Sequence, residues 1–299
     1  MRSTDAARSF APVPNGLRSP PETSMRTLDD ACAVDAGRSL EKILRGVAAP
    51  AIAVSGGVDS LTLAAFAAEC AADVRMLHAV SPAVPPLATE RVRALAAERG
   101  WHLTLLDAGE FADPLYRANP VNRCFHCKTN LYATIRGCTD RPILSGANLD
   151  DLAEYRPGLD AAANYGVRHP YIDAGIDKPG VRTIARALGL AEVAELPASP
   201  CLSSRVETGI RIEPETLGFI DTVERLVTAA LGPTTVRCRV RASAVVIELD
   251  AGALARLDAD SARSLRELLA GVAHRPASRP IRFAPYRNGS AFLREATLP

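Results

Sequence analysis

Three features of the sequence predict an α/β fold built on a parallel sheet. Short apolar runs recur at 51–54, 74–80, 102–106 and 142–144. The stretches between them carry helical spacing, and strands alternating with helices give a parallel sheet covered on both faces. Two of the runs end in small-residue turns, Ser55-Gly56-Gly57 and Ser145-Gly146-Ala147-Asn148. In such sheets ligands collect beyond the carboxyl ends of the strands, which is where both turns fall.

The chain has 299 residues, enough for a large domain and a small one, with 47% hydrophobic and 23% charged residues. Its net charge of +1 gives no push toward nucleic acid or a membrane surface. No apolar run is long enough to span a bilayer. The seven cysteines are odd in number and the chain is not small, so reduced thiols in a cytoplasmic protein are expected rather than a disulfide framework. Cys32, Cys70, Cys138 and Cys238 have apolar or helical neighbours and read as small core residues.

Taken in order, residues 1–29 are rich in Pro, Ser, Arg and Ala and are expected to be a disordered extension, with Met25 an alternative start. A helix is predicted over 31–47 from the spacing of Leu40, Ile43, Leu44 and Val47. The first strand, the glycine turn and an alanine-rich helix (61–72) follow. A strand at 74–80, a helix at 89–99 and strands at 102–106 and 142–144 complete the alternation. A helix at 178–188 precedes a two-proline loop at 196–206, and a long helix is predicted over 214–231. After Gly232-Pro233 the pattern turns to strands at 236–241 and 244–249, a helix at 262–272 and a last strand at 281–283. The expected division is thus 30–206 for the α/β domain and 207–299 for a small C-terminal α+β domain.

The stretch Ser55-Gly56-Gly57-Val58-Asp59-Ser60 suits an anion. Glycines let the backbone bend and approach a ligand, and free N–H groups of the following helix face it. It lacks the lysine of GxxxxGK[ST] and the spacing of GxGxxG. It resembles the PP-loop of ATP pyrophosphatases, which split ATP into AMP and pyrophosphate. Ser55, Gly56 and Gly57 are then the nucleotide cradle, and Asp59 and Ser60 would help hold Mg²⁺ and the pyrophosphate end of ATP. An ordinary helix cap is the plainer reading of the last two.

Cys124 and Cys127 form a CxxC, which alone fits a redox pair, half a zinc site, part of an iron–sulfur site, or no site. Cys201 lies in a separate loop beside Pro200 and Arg205, and a nearby arginine favours thiolate.

With the SGGVDS turn, NRCFHCK at 122–128, SGANLDDLAEYRPGLDAAANYGVRHP at 145–170, PASPCLSSR at 197–205 and YRNGS at 286–290, the chain resembles the LarE family of ATP-dependent sulfur transferases. The resemblance runs from the first helix nearly to the end. It implies adenylation of a carboxylate of pyridinium-3,5-biscarboxylic acid mononucleotide with ATP and Mg²⁺, then replacement of the activated oxygen by sulfur, for nickel-pincer cofactor synthesis. AMP is a good leaving group where a carboxylate oxygen is not. In single-cysteine members the cysteine matching Cys201 gives up its own sulfur. In three-cysteine members those matching Cys124, Cys127 and Cys201 look like holders of a [4Fe-4S] cluster, and this chain has all three. The same thiolates on zinc are the alternative metal reading.

The resemblance also places Cys201, Arg205 and Lys128 at the reacting centre, Arg205 facing phosphate or acyl-adenylate, with a solvated lysine the equal alternative for Lys128. Arg237, Arg239 and Arg241 alternate along one strand and so share a face. Arg237 and Arg239 are candidates for the substrate phosphate, and a solvated sheet face is the alternative. The resemblance implies a small nucleotide substrate and a homo-oligomer such as a hexamer, and no nucleic-acid or membrane partner is expected. The family's His-His-Gly turn after this strand is replaced by Arg241-Ala-Ser-Ala-Val, which puts the strand pairing there in question. His126 and His169 are free for proton work, His169 before Pro170 reading as structural. The rivals are a PP-loop tRNA thiolase, which should carry a basic RNA-binding surface, an amide-forming PP-loop ligase, which would leave the cysteines idle, and a degenerate AMP binder.

Overall fold

The computed structural model describes residues 35–153, 155–198, 200–274, 276 and 279–293. The expectations for 1–29, Met25 and Cys32 lie outside them.

Residues 35–45 form helix α1, whose Leu40 and Leu44 are buried, as their spacing predicts. Strands β1 (Ala51–Ala53), β2 (Arg75–Ala79), β3 (His102–Leu106) and β4 (Ile143–Ser145) form one parallel sheet in the order β3-β2-β1-β4. The alternation of side chains along the strands divides the core. Ile52, Met76 and Leu144 pack with α1, α2 (Val58–Cys70), α3 (Pro86–Arg99), α8 (Lys178–Ala187) and α9 (Ala191–Ala194). Ala51, Leu77 and Ile143 point the other way, toward α5 (Arg123–Cys138) and α6 (Pro157–Asn164). Helices therefore cover both faces, and the α/β PP-loop type of fold predicted from the sequence is the one observed.

The chain winds outward from β1 through β2 to β3, then returns to lay β4 on the other side of β1. The loops after β1 and β4 consequently part in opposite directions, which opens a crevice above their carboxyl ends.

Two short helices, α4 (Pro114–Arg117) and α7 (Pro170–Asp173), sit in the connections. Helix α10 (Pro214–Leu231) buries Leu217, Ile220, Val223 and Val227 against a second, three-stranded sheet of β5 (Val236–Val240), β6 (Val245–Leu249) and β7 (Ile281–Pro285). Helices α11 (Ala251–Arg256) and α12 (Ala259–Ala270) lie between β6 and β7. β5 and β6 are antiparallel, whereas β6 and β7 are parallel. The pairing questioned in the sequence holds: Val240 stands opposite Val245, and Arg241 N–H donates to Ala244 O at 2.9 Å. Cys238 is buried in this second core, as expected, whereas Cys138, expected in a core, is exposed at the end of α5.

Candidate functional site

The glycine turn closes on itself. Ser60 Oγ accepts from Ser55 N–H at 3.0 Å, lies 3.1 Å from Ser55 Oγ and donates to Gly57 O at 3.2 Å. Ser60 thus shapes the turn. The two glycines do different jobs. Gly56 has φ +83°, and a Cβ there would stand 2.7 Å from Ala88 O, so both backbone and packing demand glycine. Gly57 has φ −89°, open to any residue, and a Cβ there would meet only Ser55 Oγ at 3.8 Å. Neither strain nor packing explains Gly57; the open space it leaves over the N-terminus of α2 does. That end of α2 has no side-chain cap, so its first N–H groups are available to an anion.

The loop after β4 presses directly on this helix start. A Cβ at Gly146 would stand 2.9 Å from both Asp59 C and Ser60 N. Asn148 Nδ2 donates to Asp59 Oδ1 at 3.0 Å, and Lys178 Nζ reaches Asp59 Oδ2 at 2.5 Å. Tyr171 O–H donates to Asp59 O at 3.1 Å. Asp59, expected at Mg²⁺, is therefore held by an amide and an ammonium across the crevice. Arg91 Nη1 donates to Gly56 O at 2.7 Å, and His169 Nδ1 lies 2.8 Å from Ser145 Oγ.

Cys124 and Cys127 lie in the first turn of α5, where i and i+3 share a face. Cys201 immediately precedes a 3₁₀ turn, Leu202–Arg205. The two segments come together, and Cys127 and Cys201 both pack against the second core. Burial pushes the Cys127 thiol up to about 12, with Lys128 opposing and Cys201, Glu110 and Cys124 adding to the rise. Burial likewise raises Cys124, helped by Cys201 and opposed by Arg123 and Lys128. Burial acts to lower the half-buried Lys128, but Tyr132, Cys127, Cys124 and Cys201 outweigh it and raise it. A desolvated thiol set beside one ammonium results. Among the described residues, no group of three or more His, Cys, Asp or Glu side chains is arranged to hold a metal ion.

Arg205 does not face an open phosphate position. It is 2% exposed; Nε and Nη2 donate to Glu224 at 3.0 and 3.1 Å, and Nη1 donates to Pro200 O at 2.7 Å and Cys201 O at 3.2 Å. Its fork shapes the loop that carries Cys201. The reason is local: the 3₁₀ turn points residue 205 back under the residues before it.

Arg237, Arg239 and Arg241 do share one face of β5, but that face is not a solvated one. Arg239 is buried, its Nε 2.9 Å from Glu248 Oε2, with its other nitrogens donating to Ser204 O and Arg287 O. Arg241 reaches Glu248 Oε1 at 3.2 Å and Ser290 O at 3.2 Å. Residues 286–291 cover these guanidinium groups, which gives YRNGS its structural part. Arg237 is the more open of the two expected phosphate ligands. It donates to Ala198 O at 2.7 Å, lies 5.8 Å from the Tyr286 ring centre, and is lowered by burial.

Sequence reasoning did not single out Lys178, Tyr171, Arg91 or Arg123. One signal was available for Lys178. A lysine in the first turn of a helix opposes the helix dipole and calls for an anionic partner, here Asp59. Asn148 stood in a turn already placed at a strand end, without a partner to name.

The loop between β2 and α3 joins the two regions: Ala83 O accepts Leu202 N–H at 2.8 Å, next to Cys201, and Ala88 backs Gly56. No helix among the described residues is long and apolar enough to cross a membrane.

No family model matches the chain. An uncharacterized protein of Synechocystis, slr1717, is 38% identical over 203 residues, 66% of this chain and 75% of that protein. Pyridinium-3,5-bisthiocarboxylic acid mononucleotide synthase of Lactiplantibacillus plantarum is 26% identical over 204 residues, 66% of this chain and 73% of the synthase. An uncharacterized protein of Methanocaldococcus jannaschii, MJ0830, is 26% identical over 177 residues, 58% of this chain and 67% of that protein. The chain belongs to the family of the Synechocystis protein, and it is LarE-like.

Proposed function

We propose that this protein is an ATP-dependent sulfur transferase that converts carboxylates of pyridinium-3,5-biscarboxylic acid mononucleotide to thiocarboxylates. The observation that carries the reading is the convergence of Cys124, Cys127, Cys201 and Lys128 at the same end of the sheet as an uncapped helix N-terminus behind Gly57. The likeness to the Lactiplantibacillus synthase supports the substrate class.

In this reading the N–H groups of α2 and the Ser55–Gly57 turn bind the phosphates of ATP. Lys178, Asn148 and Asp59 lie at that helix start; Asp59 would take Mg²⁺ by exchanging its ammonium partner for the metal. A substrate carboxylate oxygen attacks the α-phosphorus, pyrophosphate leaves, and the acyl-adenylate forms. Sulfur then adds to the acyl carbon and AMP departs with the original oxygen. Lys128, close to the thiols, balances the negative charge of the incoming sulfur. Arg237, beside Tyr286, is placed to receive the substrate phosphate.

Three soft thiols from two segments fit an iron–sulfur cluster in donor chemistry, and Cys124, Cys127 and Cys201 would hold it. When bound, a [4Fe-4S] cluster with three protein thiolates supplies an open iron for inorganic sulfide. The same three thiolates on a single zinc ion are the alternative metal reading.

The test is to incubate anaerobically purified protein with ATP, Mg²⁺, sulfide and the biscarboxylate nucleotide. Pyrophosphate and AMP should appear only with the nucleotide present, and the product should gain the mass of sulfur in place of oxygen. ATP binding with no pyrophosphate release would leave an AMP-binding protein and end this reading.

A further inference from the structure

The two segments that bring the thiols together are joined by one buried arginine. Arg123 immediately precedes Cys124 and is 2% exposed. Its Nη1 donates to Asn119 Oδ1 at 2.5 Å and to Ser203 O at 3.1 Å. Ser203 lies two residues beyond Cys201, so one nitrogen ties the start of the CxxC helix to the Cys201 turn. Asn119 is itself fully buried, at φ +55°, and its Nδ2 donates to Glu207 O at 2.9 Å and Ile210 O at 3.0 Å. Tyr116 O–H and Ser203 Oγ, 2.7 Å apart, add a second tie. The Phe292 ring lies 5.1 Å from the Arg123 guanidinium carbon, closing the far side.

The other arm is left over. Arg123 Nη2 is buried with no hydrogen-bond partner among the protein groups, although nearly all buried polar groups in folded proteins are satisfied. The guanidinium acts electrostatically on Cys124, the next residue, and opposes the rise that burial gives its thiol. A cation whose first arm is fixed and whose second is free beside a thiol is set up to donate to sulfur.

We propose that Arg123 is a positioning residue for the three-thiol set: its Nη1 fixes Cys201 in register with Cys124 and Cys127, and its unpartnered Nη2 is kept for a sulfur anion held there. This rests on the sulfur-transfer reading for its purpose, but the clamp can be tested without turnover. A lysine keeps the charge and can serve Asn119 and Ser203 from its one nitrogen, but it has no second arm in the place of Nη2.

The experiment is cadmium binding by the full-length, metal-free chain without oxygen, read by thiolate-to-cadmium charge-transfer absorption. Wild type should show a three-thiolate signal, and Cys201→Ala should lose about a third of it, one thiolate in three. Arg123→Met should match Cys201→Ala, and the double variant should lose nothing more, as expected for two changes acting through one contact. Arg123→Lys, whose ammonium can serve Asn119 and Ser203, should restore part of the signal. A full three-thiolate signal in folded Arg123→Met would overturn the clamp. Should Arg123→Met fail to fold, Phe292→Leu removes the ring and should weaken cadmium binding about tenfold; unchanged binding would count against the proposal equally. A wild type indistinguishable from Cys201→Ala would show that Cys201 does not join the set, refuting the clamp and the three-thiol cluster together. ATP-dependent pyrophosphate release in that same wild-type sample would show the adenylation reading surviving on its own.

Discussion

Lys178 and Asp59 form an ion pair of 2.5 Å across the crevice between the loops after β1 and β4, with each side chain less than a third exposed. The lysine lies in the first turn of α8 and the aspartate in the first turn of α2, so two helix starts are linked through one charge pair. Lys178→Met leaves Asp59 with only Asn148 as a side-chain donor in the crevice. The melting temperature should fall by a few degrees, about 1–2 kcal/mol, as for a half-buried pair. ATP binding, followed by calorimetry, should weaken at least tenfold if the pair organises the phosphate site. Unchanged ATP affinity would place Lys178 outside it.

The adjacent glycines should separate stability from binding. Gly57→Ala should melt within about 1 kcal/mol of wild type, since its φ is ordinary and its Cβ would meet nothing closer than 3.8 Å. Its ATP affinity should nevertheless drop about tenfold or more, because the methyl group fills the ligand space. Gly56→Ala and Gly146→Ala should both lose about 1–3 kcal/mol, through contacts of 2.7 and 2.9 Å with backbone atoms. Parallel melts and ATP titrations decide it; a strongly destabilised Gly57→Ala would contradict this division.

Cys127 carries a pH dependence of definite sign. Its folded value, about 12, lies above its ordinary value of 9.0, so the native state holds the thiol proton more tightly than the unfolded chain. The stability this contributes is complete below pH 9 and is lost as pH rises from 9 toward 12. The metal-free protein should lose melting temperature over that window, and Cys127→Ala should lose less. At pH 8, iodoacetamide should label exposed Cys138 at least tenfold faster than Cys127, as peptide mass mapping would show. Equal rates would mean that Cys127 is neither buried nor held protonated.

Glu248 is the hinge of the small sheet's polar face, receiving Arg239 at 2.9 Å, Arg241 at 3.2 Å and Ser290 Oγ at 2.6 Å. Glu248→Gln strands a buried guanidinium and should cost about 3–5 kcal/mol. Arg237→Ala should leave the melt within about 1 kcal/mol but raise the KM for the phosphorylated substrate. A stable Glu248→Gln would imply that the arginine face opens to solvent.

The four parallel strands and the glycine turn were legible in the sequence because period, turn chemistry and order agree there. The three cysteines were legible as residues, and their meeting followed from the resemblance. Arg205 and Arg239 have glutamate partners that the sequence did not announce, because an arginine's type and spacing do not say whether its partner is a ligand or a glutamate. Glu224 and Glu248, which decide the matter, lie in other elements, and nothing local marks them as partners. Lys178 and Asp59 are likewise far apart along the chain, and only the return of β4 beside β1 brings their loops together.

The connection from Ala83 to Ala88 touches the Cys201 turn with its first residue and the glycine turn with its last. Pro85 and Pro86 stiffen it at the start of α3. On the sulfur-transfer reading it would act as a molecular ruler, setting the reach between the place where ATP is opened and the place where sulfur is delivered. An insertion of even one residue between Ala83 and Ala88 would lengthen that reach while leaving both ends chemically intact. On that reading such a variant would separate activation from delivery, spilling the proposed acyl-adenylate to water.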